Sequence, residues 1–255
     1  MPSSEQARKD YDNSAAVYGE YGALPSGQLE SELIKLALGD CTDLTILDLG
    51  GGTGVHAFEA LDLGAVAVDL VDISPGMLEK ARRSEALVGR EDKIRFFEAD
   101  VSKPLSHLPL REGGYDVVMG NWVFSFADSM DVLEGVFHNI VDNLKTGGRF
   151  ICVRDADPAS PVLQTGKYGG SCKWLKEIPG GYSYLCVLHT TPPIEFEGAA
   201  LEVIYSGSTK IYEQFGLTDI RVLPYEAAAV VKENPEFWQS FLERPCLAVM
   251  TAIKS

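Results

Sequence analysis

Apolar residues recur along this chain with two different periods, and the switches between them mark out its elements. In "SGQLESELIKLALG" (26–39), Leu29, Leu33, Leu36 and Ala37 fall on one helical face. "TILDLG" (45–50) is instead a short apolar run of strand length, followed by a helix over 55–64 that Gly64 stops. The alternation then repeats. "AVAVDLVDI" (65–73) reads as a strand and "SPGMLEKARRSEAL" (74–87) as a helix, with Ser74 as N-cap and Pro75 at its first position. "KIRFFEADV" (93–101) and "YDVVMGNWVF" (115–124) are strands, 129–145 is an amphipathic helix, and "GGRFICVRDA" (147–156) is the next strand. Ahead of these, 11–22 reads as a helix, and the polar residues 1–12 are expected to be loose at the start.

Strand and helix in alternation predict βαβ units, hence an α/β fold with a parallel sheet and helices on both faces. Right-handed crossovers then put a ligand at the carboxyl ends of the strands. Past Ala156 the pattern changes. Residues 157–181 are rich in turn formers, and 182–190 with 194–206 read as an antiparallel pair. A helix over 208–217, a strand over 218–225, a proline-bounded helix over 234–245 and a strand over 246–254 complete the chain. The last two strands are expected to form the far edge of the sheet. We expect one domain over 1–255, with 157–206 an insertion or lid over the substrate end and 1–40 a pair of helices over the cofactor.

The candidate chemistry starts at "ILDLGGGTGVH" (46–56), where Gly50, Gly52 and Gly54 give G-x-G-x-G at the end of the first strand. A dinucleotide site wants G-x-G-x-x-G, and the sixth position here is Val55, which argues against a nicotinamide oxidoreductase. Asp48 precedes the glycines, and Asp72 ends the second strand 24 residues later. A carboxylate at that place accepts both hydroxyls of a ribose. Asp69, three residues earlier in the same strand, does not reach the strand end.

In this order, "LDLGGGTG", "VDLVDISPGMLEKAR", "FFEADV", "YDVVMGNWVF" and "LKTGGRF" resemble the cofactor motifs of class I S-adenosylmethionine-dependent methyltransferases, covering most of 11–156. The resemblance implies a Rossmann-like methyltransferase fold, a mostly parallel sheet with an antiparallel last strand, and S-adenosylmethionine as cofactor. It also implies site residues: Gly50, Gly51 and Gly52 against the methionine part, Asp48 near its ammonium, and Asp72 on the ribose. Ile73 and Met77 would flank the adenine, with Asp100 and the Val101 amide on its edge. Asn121 and Trp122 would lie at the methionine end, and Tyr11 and Tyr18 would close over the cofactor. Plainer readings stand beside these: Asp48 as a buried turn acid, Asp100 as a strand-end acid, Trp122 as a core aromatic. "NPEFWQSFLERPCLAVMTAIKS" is further similar to the toxoflavin-type small-molecule methyltransferases, which implies an N- or O-directed reaction on a secondary metabolite.

Composition narrows the partners. A chain of 255 residues that is 45% hydrophobic can bury a sizeable core, and a net charge of −15 disfavours a nucleic-acid partner. The five cysteines show no metal or disulfide spacing, so no metal and a reducing, cytoplasmic setting are expected. No leader and no membrane span are legible, and the partner is a small-molecule substrate, with the protein a monomer or homodimer. On the acceptor side the candidates are His189 and Asp155 as bases, with Trp122, Arg154, Tyr168, Trp174 and Tyr182 around the substrate. A structural or surface role for His189 is the competing reading. The fold also admits a cyclisation or rearrangement without methyl transfer, since fold does not fix chemistry.

Overall fold

The computed structural model describes residues 4–255. The N-terminal segment forms α1 (Ser4–Ser14), a 3-10 turn over Tyr18–Ala23, and α2 (Pro25–Leu38). Three βαβ units follow. β1 (Thr45–Leu49), α3 (Val55–Asp62), β2 (Ala67–Asp72), α4 (Pro75–Ala86) and β3 (Ile94–Glu98) make two of them. β4 (Tyr115–Met119), α5 (Met130–Asn143) and β5 (Leu144–Asp155) make the third. An antiparallel trio β6 (Gly170–Ile178), β7 (Gly181–Leu188) and β8 (Ile194–Leu201) comes next. The chain ends with α6 (Glu202–Tyr205), α7 (Lys210–Gln214), β9 (Leu217–Val222), α8 (Ala229–Glu233), α9 (Pro235–Glu243) and β10 (Leu247–Lys254).

The seven-stranded sheet has the order β3-β2-β1-β4-β5-β10-β9. β1 to β5 pair in parallel, and β10 lies antiparallel between β5 and β9. β1 is buried at every position, as a strand covered on both faces must be. One face packs on α2, α3 and α9 through Leu29, Leu33, Ala57 and Phe241; the other packs on α5 through Phe137, Ile140 and Phe150. The chain reverses its strand order between β1 and β4, and a crevice opens there at the strands' carboxyl ends.

Four local expectations are corrected. The helix over 11–22 breaks after Ser14, whose hydroxyl turns back to the Asp10 carbonyl at 2.8 Å, and Gly19 and Gly22 disfavour its continuation. The loose start over 1–12 falls partly on residues 1–3, outside the described residues; 4–12 are helical. That helix is docked on α4: Asp12 accepts from the Ser74 hydroxyl at 2.6 Å and the Gly76 amide at 2.9 Å, and Lys80 donates to the Ala16 carbonyl at 2.7 Å. Leu36 is 52% exposed, because burial of Glu30, Ile34 and Leu38 moves the centre of the α2 face away from it. Lastly, β6 occupies part of the stretch read as turns, and the strand read over 194–206 ends at Leu201, where α6 begins. β6 has no alternation to read, since its middle positions are all exposed.

The three-stranded sheet faces the crevice through β8. Phe196 meets Tyr11 of α1 at 6.0 Å and Phe126, in the turn after β4, at 6.2 Å between ring centroids. The N-terminal helix and the insertion thus touch each other across the strand ends.

Candidate active site

The glycine turn after β1 must do two things, and the structure separates them. Gly50 (φ 69°) and Gly52 (φ 54°) hold left-handed backbone that side chains rarely adopt. A Cβ on Gly50 would lie 2.7 Å from Val123 Cγ1, and one on Gly51 2.6 Å from Leu70 Cγ and 2.7 Å from Asp48 Oδ2. On Gly52 it would meet nothing within 4 Å. Gly50 and Gly51 are therefore bare because the protein packs on them, while Gly52 borders open space.

That space is a cavity of about 490 Å³. It is lined by every one of the residues expected at a cofactor: Tyr11, Tyr18, Asp48, Gly50, Gly51, Gly52, Asp72, Ile73, Met77, Asp100, Val101, Asn121 and Trp122. Asp72 ends β2 and ties the glycine turn to it, accepting from the Gly52 amide and the Ser74 amide, both at 2.8 Å. Burial pushes its carboxyl up to about 6, against the pull of those amides. Asp69 is engaged elsewhere, accepting from Arg95 and the Tyr115 hydroxyl.

Asp48 differs from Asp72 in having no hydrogen-bond partner among the described residues. Both carboxyl oxygens are buried without a hydrogen bond among the described residues. Burial pushes its carboxyl up to about 7, opposed by His56. His56 lies between two acids, with Nδ1 at 2.8 Å from Glu59 and Nε2 at 3.1 Å from Glu30. Burial alone lowers the imidazole, but those two carboxylates outweigh it and raise it to about 10. The ring is thus a fixed cation behind the turn.

Glu30 collects three donors: His56, the Tyr21 hydroxyl at 2.9 Å and Trp122 Nε1 at 2.7 Å. Trp122 is held at φ 62°, strained backbone of the kind that gathers at functional sites. Its neighbour Asn121 accepts from the Val153 amide at 3.1 Å, and its Nδ2 is buried without a partner among the described residues. Ser102 donates twice to Asp100, from its amide at 2.9 Å and its hydroxyl at 2.7 Å. Tyr11 stacks edge-on to Tyr18 at 5.8 Å and to Phe126 at 5.6 Å, and burial raises both phenols.

A second cavity of about 100 Å³ adjoins the first. Trp122, Ser125 and Phe126 line both, and Asp155 and Tyr168 line only the second. The other acceptor-side candidates lie elsewhere. Arg154 is buried and donates to the Asp155 carbonyl at 2.7 Å, lining neither cavity. His189 is exposed, with Nε2 at 3.0 Å from the Ser171 hydroxyl. Trp174 and Tyr182 pack ring on ring at 3.7 Å on the insertion, and Tyr182 accepts from the Tyr205 hydroxyl at 2.8 Å. Glu30, Ser125 and Phe126 escaped the sequence reading. Glu30 had a signal, an acid among Leu29, Leu33 and Ile34 on an apolar helix face. Among the described residues no cluster of three or more His, Cys, Asp or Glu is placed to hold a metal, and no helix is long and apolar enough to cross a membrane.

Comparison with known proteins agrees with this geometry. A malonyl-[acyl-carrier protein] O-methyltransferase of Geobacter sulfurreducens is 30% identical over 132 residues, 51% of this chain and 47% of that protein. Squalestatin tetraketide synthase clz2 of Cochliobolus lunatus is 31% identical over 135 residues, 50% of this chain and 5% of that protein. The chain thus spans less than half the length of these curated relatives. Among solved structures, an S-adenosylmethionine-dependent methyltransferase of Mesorhizobium loti superposes with a TM-score of 0.61 at 19% identity, covering 90% of this chain and 99% of that one. The fold is the Rossmann-like fold of the methyltransferases, and residues 46–148, which carry the glycine turn, Asp72 and Asp100, match the methyltransferase domain family.

Proposed function

We propose that the protein is an S-adenosylmethionine-dependent methyltransferase acting on a small-molecule acceptor, N- or O-directed and of the toxoflavin-type group. The observation that carries this reading is the pair of buried acids around the glycine turn. Asp48 is a buried carboxylate with no hydrogen-bond partner among the described residues, beside bare backbone, which suits the ammonium of a methionine moiety. Asp72, at the tip of β2, still has lone pairs for a ribose diol after its two amide bonds. Ile73 and Met77 supply apolar surface for an adenine, Asp100 and the Val101 amide its polar edge, and Asn121 and Trp122 the methionine end. Bound there, adenosylmethionine supplies an activated methyl group. The chain's own part is to hold donor and acceptor in line and to keep water out. In this reading Tyr11 and Tyr18 close the cofactor end as part of 1–40, and 157–206 covers the acceptor end of a single domain.

A thermal-shift comparison of adenosylmethionine, adenosylhomocysteine and NADH tests the cofactor, because a ligand that binds only the folded state raises the melting point. The first two are expected to raise it and NADH to leave it unchanged. A shift with NADH alone overturns the proposal. With a working acceptor, mass spectrometry is expected to show a methylated product; a product of unchanged mass with cofactor intact means a rearrangement on the same fold.

A further inference from the structure

The smaller cavity has a chemistry of its own. Eight of its nineteen lining residues are aromatic, among them Tyr11, Trp122, Phe126, Tyr184 and Phe196, and three more are cysteines. Among the described lining residues none is Lys, Arg or His, and Asp155 is the one formal charge. Asp155 stands at the tip of β5 and is 9% exposed. The Ser125 hydroxyl donates to its Oδ2 at 3.0 Å, and Ser125 also lines the larger cavity. Tyr184 reaches it across β8 because Gly198 leaves room: a Cβ there would lie 2.6 Å from the tyrosine ring.

Building on the methyltransferase reading, we infer that Asp155 takes the acceptor's proton and that this chamber binds an uncharged, planar, single-ring acceptor bearing one N–H or O–H. The volume is on the order of the ~150 Å³ that encloses benzene in a protein core. Aromatic walls favour a flat ring. A lone buried carboxylate without a nearby lining cation rejects an anionic acceptor. In the reaction the acceptor's N or O lone pair forms the bond to the methyl carbon and the carbon–sulfur pair stays on sulfur. The acceptor's proton passes to Asp155, which returns it to solvent.

The electrostatics support the role. Burial pushes the Asp155 carboxyl up to about 6, while Ser125, Arg154 and Tyr184 hold it down. It is therefore ionised at neutral pH and more basic than an ordinary carboxylate. The other titratable groups facing it are the thiols of Cys186 and Cys246, and burial raises the Cys246 thiol to about 12, so it stays neutral.

The test uses phenol, anisole and benzoate as probes in equilibrium binding to the full chain. Phenol is expected to bind, anisole roughly tenfold more weakly for want of a charge-assisted hydrogen bond, and benzoate least. Phenol affinity is expected to fall as pH drops below about 6, where Asp155 protonates. Asp155→Asn should flatten that pH dependence while keeping adenosylhomocysteine binding. Ser125→Ala, which removes a bond that favours the anion, should move the midpoint to higher pH, and it serves where Asp155→Asn does not fold. Benzoate bound as well as phenol, no phenol binding, an unmoved midpoint in Ser125→Ala or an unchanged pH profile in Asp155→Asn overturns the inference. Each of these leaves the methyltransferase reading standing if adenosylhomocysteine still binds; if the wild type does not bind it, that reading itself fails.

Discussion

The two chambers share a wall of Tyr11, Tyr18, Tyr21, Trp122, Ser125 and Phe126 but differ in the rest of their lining. The larger one has its floor where strands end, at Asp48 and 50–53 at the end of β1, Asp72 and Ile73 at the end of β2, Asp100 and Val101 after β3 and Asn121 and Trp122 after β4, and its cover in α1, α2 and β8, with Ala7, Glu30 and Gly198 among them. Its key groups are backbone turns and acids at fixed strand tips, so they come with the sheet. The smaller one gathers side chains from α1, the turn after β4, the end of β5, all three strands of the insertion and the approach to β10. Apart from Asp155 at the end of β5 and Leu247 at the start of β10, those contributions come from outside the seven-stranded sheet. The strand-tip floor of the larger chamber is therefore a property of the fold, while the smaller chamber, made mostly of covering segments, can change with them as the sheet stays the same.

Substitutions in the glycine turn give the strongest test of that contrast. Gly51→Ala drives a Cβ into Leu70 and Asp48 and is expected to cost roughly 1–3 kcal/mol of stability by overpacking, with loss of cofactor binding. Gly52→Ala meets nothing but sits at φ 54°, so about 1–2 kcal/mol is expected, with the larger effect on ligand affinity. Urea unfolding beside calorimetric titration checks both. Equal losses of stability and affinity in the two variants would contradict the division of labour between these glycines.

A smaller effect is expected from pH. The carboxyls of Asp48, Asp72 and Asp155 are raised in the folded chain to about 7, 6 and 6. Between their ordinary values and these, the folded protein holds protons that the unfolded chain has released. Their contribution is therefore greatest in acid and declines as pH rises through about 6 to 7. His56, raised to about 10, acts in the same direction at higher pH: its stabilisation is complete below its unfolded value near 6.5 and fades toward pH 10. The melting temperature of the ligand-free protein should fall between pH 5 and pH 8. In Asp48→Asn the fall should be shallower, since a neutral amide replaces the unpaired charge. A melting temperature that climbs over that range would contradict carboxyls raised by burial.

The smallest effect is expected at His189. Its ring is exposed and meets the Ser171 hydroxyl, and its backbone bond to the Gly169 carbonyl survives substitution, so His189→Ala should stay within about 0.5 kcal/mol in stability and leave cofactor binding unchanged. A large loss of cofactor affinity would bring it back into the site.

The same contrast explains what the sequence made legible. The parallel sheet followed from alternating runs such as 45–50 and 65–73, because buried strands and amphipathic helices differ in period. Eleven of the thirteen residues assigned to a cofactor converge on one cavity because their motifs follow strand ends, which topology brings together; Tyr11 and Tyr18 reach it from α1 and the turn after it. Glu30 was hidden because its partners, His56, Tyr21 and Trp122, lie up to 92 residues away. β6 was hidden because exposed positions carry no period. Trp174 and Tyr182 looked like site residues by chemistry, yet they pack on one another on the insertion, and His189, just past the end of β7, is exposed. Side-chain chemistry names candidates, but only the third dimension says which share a chamber.

The most direct test of the central claim is a titration of adenosylhomocysteine into the wild type and Asp72→Ala, with NADH as competitor. Asp72 fixes the glycine turn and lines the larger chamber. Saturable binding to the wild type that NADH does not displace is expected, with a loss on the order of 100-fold in the variant, as two charge-assisted hydrogen bonds would give. Unchanged affinity in Asp72→Ala, or displacement by NADH, would contradict it.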